Sequence, residues 1–223
     1  MGVDLYAGTL TTFYLYTWNS AAGRVFGTRV KRLFAGGEPE YIHWPREKMR
    51  AAVEEWKEAL NGHLRKNGDP IAKWEERDHA PDFAEQLGWE GLGTLRLVAM
   101  LDERRGAIVP TEPTDSPTSH PDWARWRSGV GDSRYLHLAI PQLWVPGSFD
   151  PVLQICNPMG GDDLIGCSGR LLHALRTLSQ RHKARFASVP RTSFLDVADD
   201  MIGRALRLAT LANEHQLPVV ISH

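Results

Sequence analysis

Cysteine is scarce in this 223-residue chain: only Cys156 and Cys167 occur. At most one disulfide could form. The opening Met1-Gly2-Val3-Asp4-Leu5-Tyr6 has neither the basic nor the apolar segment of a secretory leader. It also lacks the Ser or Thr that a myristoylation signal places where Tyr6 stands. No apolar run approaches the roughly 20 residues of a membrane helix. These absences lead us to expect a cytoplasmic protein with free thiols and no membrane association. Charge of one sign is missing too. The net charge is −1, from 26 Lys/Arg and 27 Asp/Glu. Up to residue 111 the counts are 15 and 16, which leaves 11 and 11 for the rest. Nucleic-acid binding needs clustered cations to neutralise phosphates, so that class is excluded. The runs Arg29-Val30-Lys31-Arg32 and Arg181-His182-Lys183-Ala184-Arg185 are too short to serve and read as solvated edges.

What the chain does have is enough apolar content, 42%, to bury one sizeable core or two small ones. Val3, Leu5 and Ala7 alternate with polar neighbours and predict a first strand. The aromatic, β-branched run Thr11 to Trp18 predicts a second. Arg24–Val30 and Glu40–His43 are weaker strand candidates around a turn at Gly36-Gly37. After Pro45, Met49, Val53, Trp56, Leu60 and Leu64 recur at helical spacing, and Asn67-Gly68-Asp69-Pro70 stops that helix. Trp74, Phe83 and Trp89 read as anchors of a mixed stretch. A buried helix follows at Leu92–Leu101. Residues 105–132 hold Pro110, Pro113, Pro117 and Pro121. They predict either a linker or a long surface loop pinned by Trp123 and Trp126, and we favour the loop.

Beyond it, strands are expected at Arg134–Ile140, Val152–Cys156, Phe186–Val189 and Leu217–Ser222. Helices are expected after Ser168 and Ser193, each serving as N-cap. Strands gather early and helices in the middle and at the end, without βαβ alternation. The expected fold is therefore a single α+β domain, 1–223, with a mainly antiparallel or mixed sheet packed against several helices.

The richest chemistry lies at Gly160-Gly161-Asp162-Asp163 and Gly166-Cys167-Ser168-Gly169-Arg170. A helix N-terminus offers free N–H groups, so Gly166, Ser168, Gly169 and Arg170 form a candidate site for an anionic ligand; a hairpin turn before a capped helix is the structural alternative. The helix dipole could activate Cys167, with His137 as base and Asp4 as orienting acid, although sequence alone does not bring the three together. The nine histidines show no H-x-H or H-E-x-x-H spacing, so no metal or other cofactor is expected. Tyr14, Tyr16 and Trp18 would share one face of a strand, either as a partner-binding surface or as a sheet face covered by the 46–66 helix.

Three strings, Met1-Gly2-Val3-Asp4-Leu5-Tyr6-Ala7-Gly8, Ile165-Gly166-Cys167-Ser168-Gly169-Arg170-Leu171-Leu172 and Leu217-Pro218-Val219-Val220-Ile221, resemble a group of uncharacterised bacterial proteins. The resemblance implies a bacterial cytosolic origin and a single full-length unit. It brings no activity and no site residues. Two functions follow as expectations. One is a non-catalytic protein-binding factor of immunity-like or regulatory kind. The other is a small hydrolase or transferase acting on an anionic small molecule at the Gly-rich turn 160–170. The first is preferred, since no catalytic set is assembled in the sequence.

Overall fold

The computed structural model of the chain describes residues 3–17, 30–32, 40–42, 45–158 and 161–222. Its centre is a six-stranded mixed sheet. In chain order the strands are β1 (Asp4–Ala7), β4 (Phe83–Gln86), β5 (Leu143–Val145), β6 (Leu153–Cys156), β7 (Asp162–Cys167) and β8 (Val219–Ser222). They lie side by side as β4-β1-β8-β5-β7-β6, with β5 and β7 parallel and every other pair antiparallel. A separate two-stranded ladder joins β2 (Val30–Arg32) to β3 (Glu40–Ile42). The terminal strand, expected from the apolar run Leu217–Ser222, lies inside the sheet between β1 and β5. The sheet takes strands from both sides of the proline-rich stretch.

Both faces of the sheet are covered. Leu143, Val145, Ile165, Cys167 and Val220 point to one side, against α1 (Leu10–Thr17) and α2 (Arg46–Asn67). Leu5, Ala7, Trp144, Val219 and Ile221 point to the other, against α3 (Gly88–Glu103), α4 (Trp123–Ser128), α5 (Leu136–Ala139), α6 (Ser168–Phe186) and α7 (Ser193–His215). The short central strands are apolar on both faces for that reason. The expected stripe Met49, Val53, Trp56, Leu60, Leu64 is the buried face of α2, and Gly68 closes this helix at φ 77°. No helix among the described residues is long and apolar enough to cross a membrane.

Several expected elements differ. Thr11–Trp18 is helical as far as Thr17, not extended. Thr9 begins that helix: its Oγ1 accepts the Thr12 N–H, while the buried Glu76 carboxylate accepts the N–H groups of Leu10 and Thr11 at 3.2 and 2.8 Å. These contacts satisfy the free donors of the first turn and outweigh the β-propensity of the run. Arg134–Ile140 is also helical at Leu136–Ala139, because Glu103 takes the Arg134 N–H and Ser133 Oγ takes the Tyr135 N–H, turning the chain just before it. Phe186 ends α6 and starts a turn, with Val189 N–H on its carbonyl. The cap of α7 is Thr192, whose hydroxyl accepts the Leu195 N–H; Ser193 bonds outward to the Thr111 carbonyl. The 105–132 stretch holds α4, with Trp123 and Trp126 buried as expected. Trp89, by contrast, is half exposed. Residues 24–29, 36–37 and 43 of the weaker expectations lie outside the described residues.

Glu76 anchors α1, and its third contact, from Trp74 Nε1 at 2.6 Å, fixes its rotamer. Glu76→Ala removes three donors' acceptor from a site only 3% exposed. It is expected to cost about 2–3 kcal/mol in urea unfolding, with far-ultraviolet circular dichroism of the folded variant showing loss of helix.

Candidate functional site

The residues singled out at the 160–170 turn are divided by β7. The turn itself lies before the strand, where Asn157 N–H donates to the Gly161 carbonyl and Asn157 Nδ2 donates to Asp163 Oδ2. Gly160 lies outside the described residues. Gly166 and Cys167 lie at the other end of this six-residue strand, roughly 13–17 Å from its start, with Ser168, Gly169 and Arg170 following them. The two halves therefore cannot form one anion cradle. Burial raises the Asp163 carboxyl pKa, with Asp162 beside it adding to the shift against the opposing bond from Asn157. Acidic groups stand where a bound anion would need donors.

At the far end, Cys167 and His137 do meet, in an unexpected way. The Cys167 backbone N–H donates to His137 Nδ1 at 3.0 Å. An amide can only donate, so Nδ1 carries the lone pair and the proton is on Nε2, which donates to the Asp150 carbonyl at 2.8 Å. The Cys167 thiol turns away and donates to the Gly147 carbonyl at 2.8 Å. Burial raises the thiol pKa; the N–H groups of Arg170, Gly169 and Phe149 and the Arg170 guanidinium oppose this without overcoming it. The helix start is thus occupied by the protein's own sulfur. Burial also lowers the His137 pKa, and the bond to Asp150 only partly offsets this.

The glycines have packing roles. A Cβ on Gly166 would lie 2.7 Å from Pro141 Cγ, 2.8 Å from Trp144 Cδ1 and 2.9 Å from His137 Nδ1. One on Gly169 would lie 2.9 Å from the Gly147 carbonyl oxygen. Ser168 is the first residue of α6 rather than its cap, and its enclosed Oγ has no hydrogen-bond partner among the described residues. Cys167, in extended conformation, takes the cap position. Arg170 is ion-paired with Asp150.

Asp4 does not join this group. The register sets Ala7, Val219, Trp144 and Gly166 at one level. Asp4 is three residues further down β1, paired with Gln86 and Ser222, and on the opposite face from Leu5 and Ala7. Tyr14 stands on α1 and not on a strand. Tyr14 is buried, with its pKa raised by burial and by Asp163 and Glu76 nearby. The side chain of Tyr16 and all of Trp18 lie outside the described residues.

Sequence reasoning missed two buried polar groups. Asp102, 3% exposed, accepts from Tyr135 Oη at 2.7 Å and from Arg181 Nε at 2.6 Å, while Arg185 holds its backbone carbonyl. His182, also buried, contacts Asp199 through Nε2 at 3.0 Å, and burial lowers its pKa against the pull of Asp199. The only sequence signal was polarity inside two apolar helical stripes, at Asp102 and His182. Among the described residues no three His, Cys, Asp or Glu side chains converge as a metal site would require. No family model, no curated protein and no solved structure matches the chain.

Two outcomes follow from this wiring. With a thiol reagent at neutral pH, the exposed Cys156 is expected to label at once and Cys167 only on unfolding; rapid native labelling of Cys167 that phosphate blocks would contradict the arrangement. His137 and His182 bind protons less readily when folded than when unfolded. Their stabilisation is complete above the unfolded value near ~6.5 and declines as pH falls below it toward the folded values. Urea unfolding is expected to show stability falling from pH 7 to pH 5, with a shallower slope in His137→Gln and in His182→Gln.

Proposed function

We propose that this protein is a non-catalytic factor that recognises another protein, in the manner of an immunity or regulatory factor. The observation that carries this reading is the use made of His137 and Cys167. Both imidazole nitrogens and the thiol are engaged with main-chain groups, so no general base faces the candidate nucleophile. The separation of the turn from the α6 start weighs against a hydrolase or transferase of anionic small molecules at 160–170. Two free thiols fit a cytoplasmic setting. A bacterial origin rests on the resemblance of the three short strings alone.

The contact element we favour is the stretch after α3. Ile108 is 74% exposed, yet Ala107 and Val109 on either side pack against the core. Its carbonyl accepts from His120 Nε2 at 2.8 Å, and His120 Nδ1 in turn accepts the Asp122 N–H. Further along, the Thr111 carbonyl accepts from Phe194 N–H and Ser193 Oγ, and Thr114 N–H donates to Thr94 Oγ1. A large aliphatic side chain held outward by a loop fixed at several points has little conformational entropy to lose on docking.

A photo-crosslinking amino acid in place of Ile108, in cells of the source organism, is expected to give one discrete protein adduct. The same probe at exposed Glu58 on α2 is expected to give none. The reading fails if position 108 gives no adduct. It also fails if the purified chain turns over ester or phosphoester substrates and Cys167→Ser abolishes that turnover.

A further inference from the structure

Arg96 is out of keeping with its surroundings. It sits inside α3, where Gly91 to Leu95 and Leu97 to Asp102 are all buried. Its Nη2 donates to the Pro141 carbonyl at 3.3 Å, and its enclosed Nε has no acceptor among the described residues. Other arginines in the fold face carboxylates: Arg181 faces Asp102, Arg191 faces Asp196 and Asp199, Arg204 faces Asp200, and Arg207 faces Glu85. Arg96 has no carboxylate partner among the described residues. Its charged neighbour is Arg127, a second cation, on α4. Burial, with Arg127 adding to it, lowers the Arg96 pKa to about 10.

A guanidinium taken out of water must be compensated by a counter-charge and by acceptors for its fixed fork of donors. One carbonyl at 3.3 Å supplies neither the charge nor the second acceptor. That carbonyl is itself held firmly, because the Pro141 ring packs over Gly166 beside Trp144. Arg96 retains partial exposure as a residue and Arg127 is exposed, so the pair can be approached from solvent.

The geometry points to a binding site for a compact oxyanion, a phosphate or carboxylate group on a small ligand, received by Arg96 and Arg127 where α3 and α4 meet the segment leading into β5. The outer N–H groups of this planar donor fork match the oxygens of such a group, and the second guanidinium adds the charge for it. The proposal does not depend on Ile108 contacting a partner.

The experiment is a melting series of the full chain with inorganic phosphate, sulfate or acetate, at ionic strength held constant with sodium chloride. Saturable stabilisation by phosphate and sulfate assigns a phosphoryl-type ligand; saturable stabilisation by acetate assigns a carboxylate. Either result supports the site. At about five times the dissociation constant the rise is expected to be roughly 2–4 °C. Arg127→Gln, on the surface, is expected to fold normally and to raise the half-saturating concentration about tenfold. Arg96→Gln is expected to abolish the response. Should Arg96→Gln not fold, the Arg96 Nε–H resonance of the native chain must shift with the same midpoint as the melting response. A response that follows ionic strength only, or one that Arg127→Gln leaves unaltered, overturns the proposal.

Discussion

The fold depends on covering a narrow strip of sheet on both sides. Strands β8 and β5 are short and buried in all but Ser222, and the second half of β7, Ile165–Cys167, is buried beside them. Leu143, Val145, Ile165 and Val220 must leave water on one face, Trp144, Val219 and Ile221 on the other. At roughly 25 cal/mol per Å² of apolar surface, neither face can be left open without a large loss. This requirement draws in α1 and α2 from the beginning of the chain and α3, α6 and α7 from its middle and end. It also places the last strand in the sheet's interior, so the sheet closes only when the C-terminal residues arrive. Pairs so far apart in sequence make the topology costly to reach and cooperative once reached.

The long amphipathic elements were legible because burial acts on them in one way. The stripes of α2 and α7 are each several turns long, and no tertiary contact can reassign so many apolar positions together. The short elements were not legible, since two or three contacts decide them. Thr9 and Glu76 turn an aromatic, strand-like run into α1, and Glu76 is more than sixty positions away in sequence. Glu103 and Ser133 do the same for α5. The strand expected to carry Tyr14 followed from the misread period, because Tyr14 stands on a helix. Of the candidate site, His137 and Cys167 were nominated as residues, but their contact, through the Cys167 N–H and not the thiol, was not foreseen. Sequence can nominate a histidine and a cysteine, yet cannot tell a backbone N–H from a thiol as the histidine's partner.

That distinction governs how the protein uses its buried polar groups. His137 and His120 repeat one device: a backbone N–H enters Nδ1, and Nε2 bonds a carbonyl on another segment. Each ring thereby replaces a stretch of ladder hydrogen bonding where the chain is irregular. Glu76 collects three donors at the start of α1, and Asp102 ties α3 to Tyr135 and α6. These groups join elements far apart in the sequence, and catalysis is not needed to account for their burial.

Satisfied groups of this kind give a standard against which Arg96 can be judged. A chain that gives Asp102 a phenol and a guanidinium, and gives His137 a bond at each nitrogen, does not generally leave buried polar atoms without partners. Enclosed atoms without partners also occur at Asp4 Oδ1, Thr11 Oγ1, Asp102 Oδ1, Ser168 Oγ and His182 Nδ1. The hydroxyls are neutral, the Asp102 charge is met through Oδ2, and His182 shares the Asp199 contact. Asp4 lies at the start of β1, next to the edge strand β4, and keeps partial exposure as a residue. Arg96 differs in carrying a full positive charge into an apolar helix and meeting a like charge there. At the site proposed, an oxyanion supplies both the charge and the acceptors that Pro141 does not.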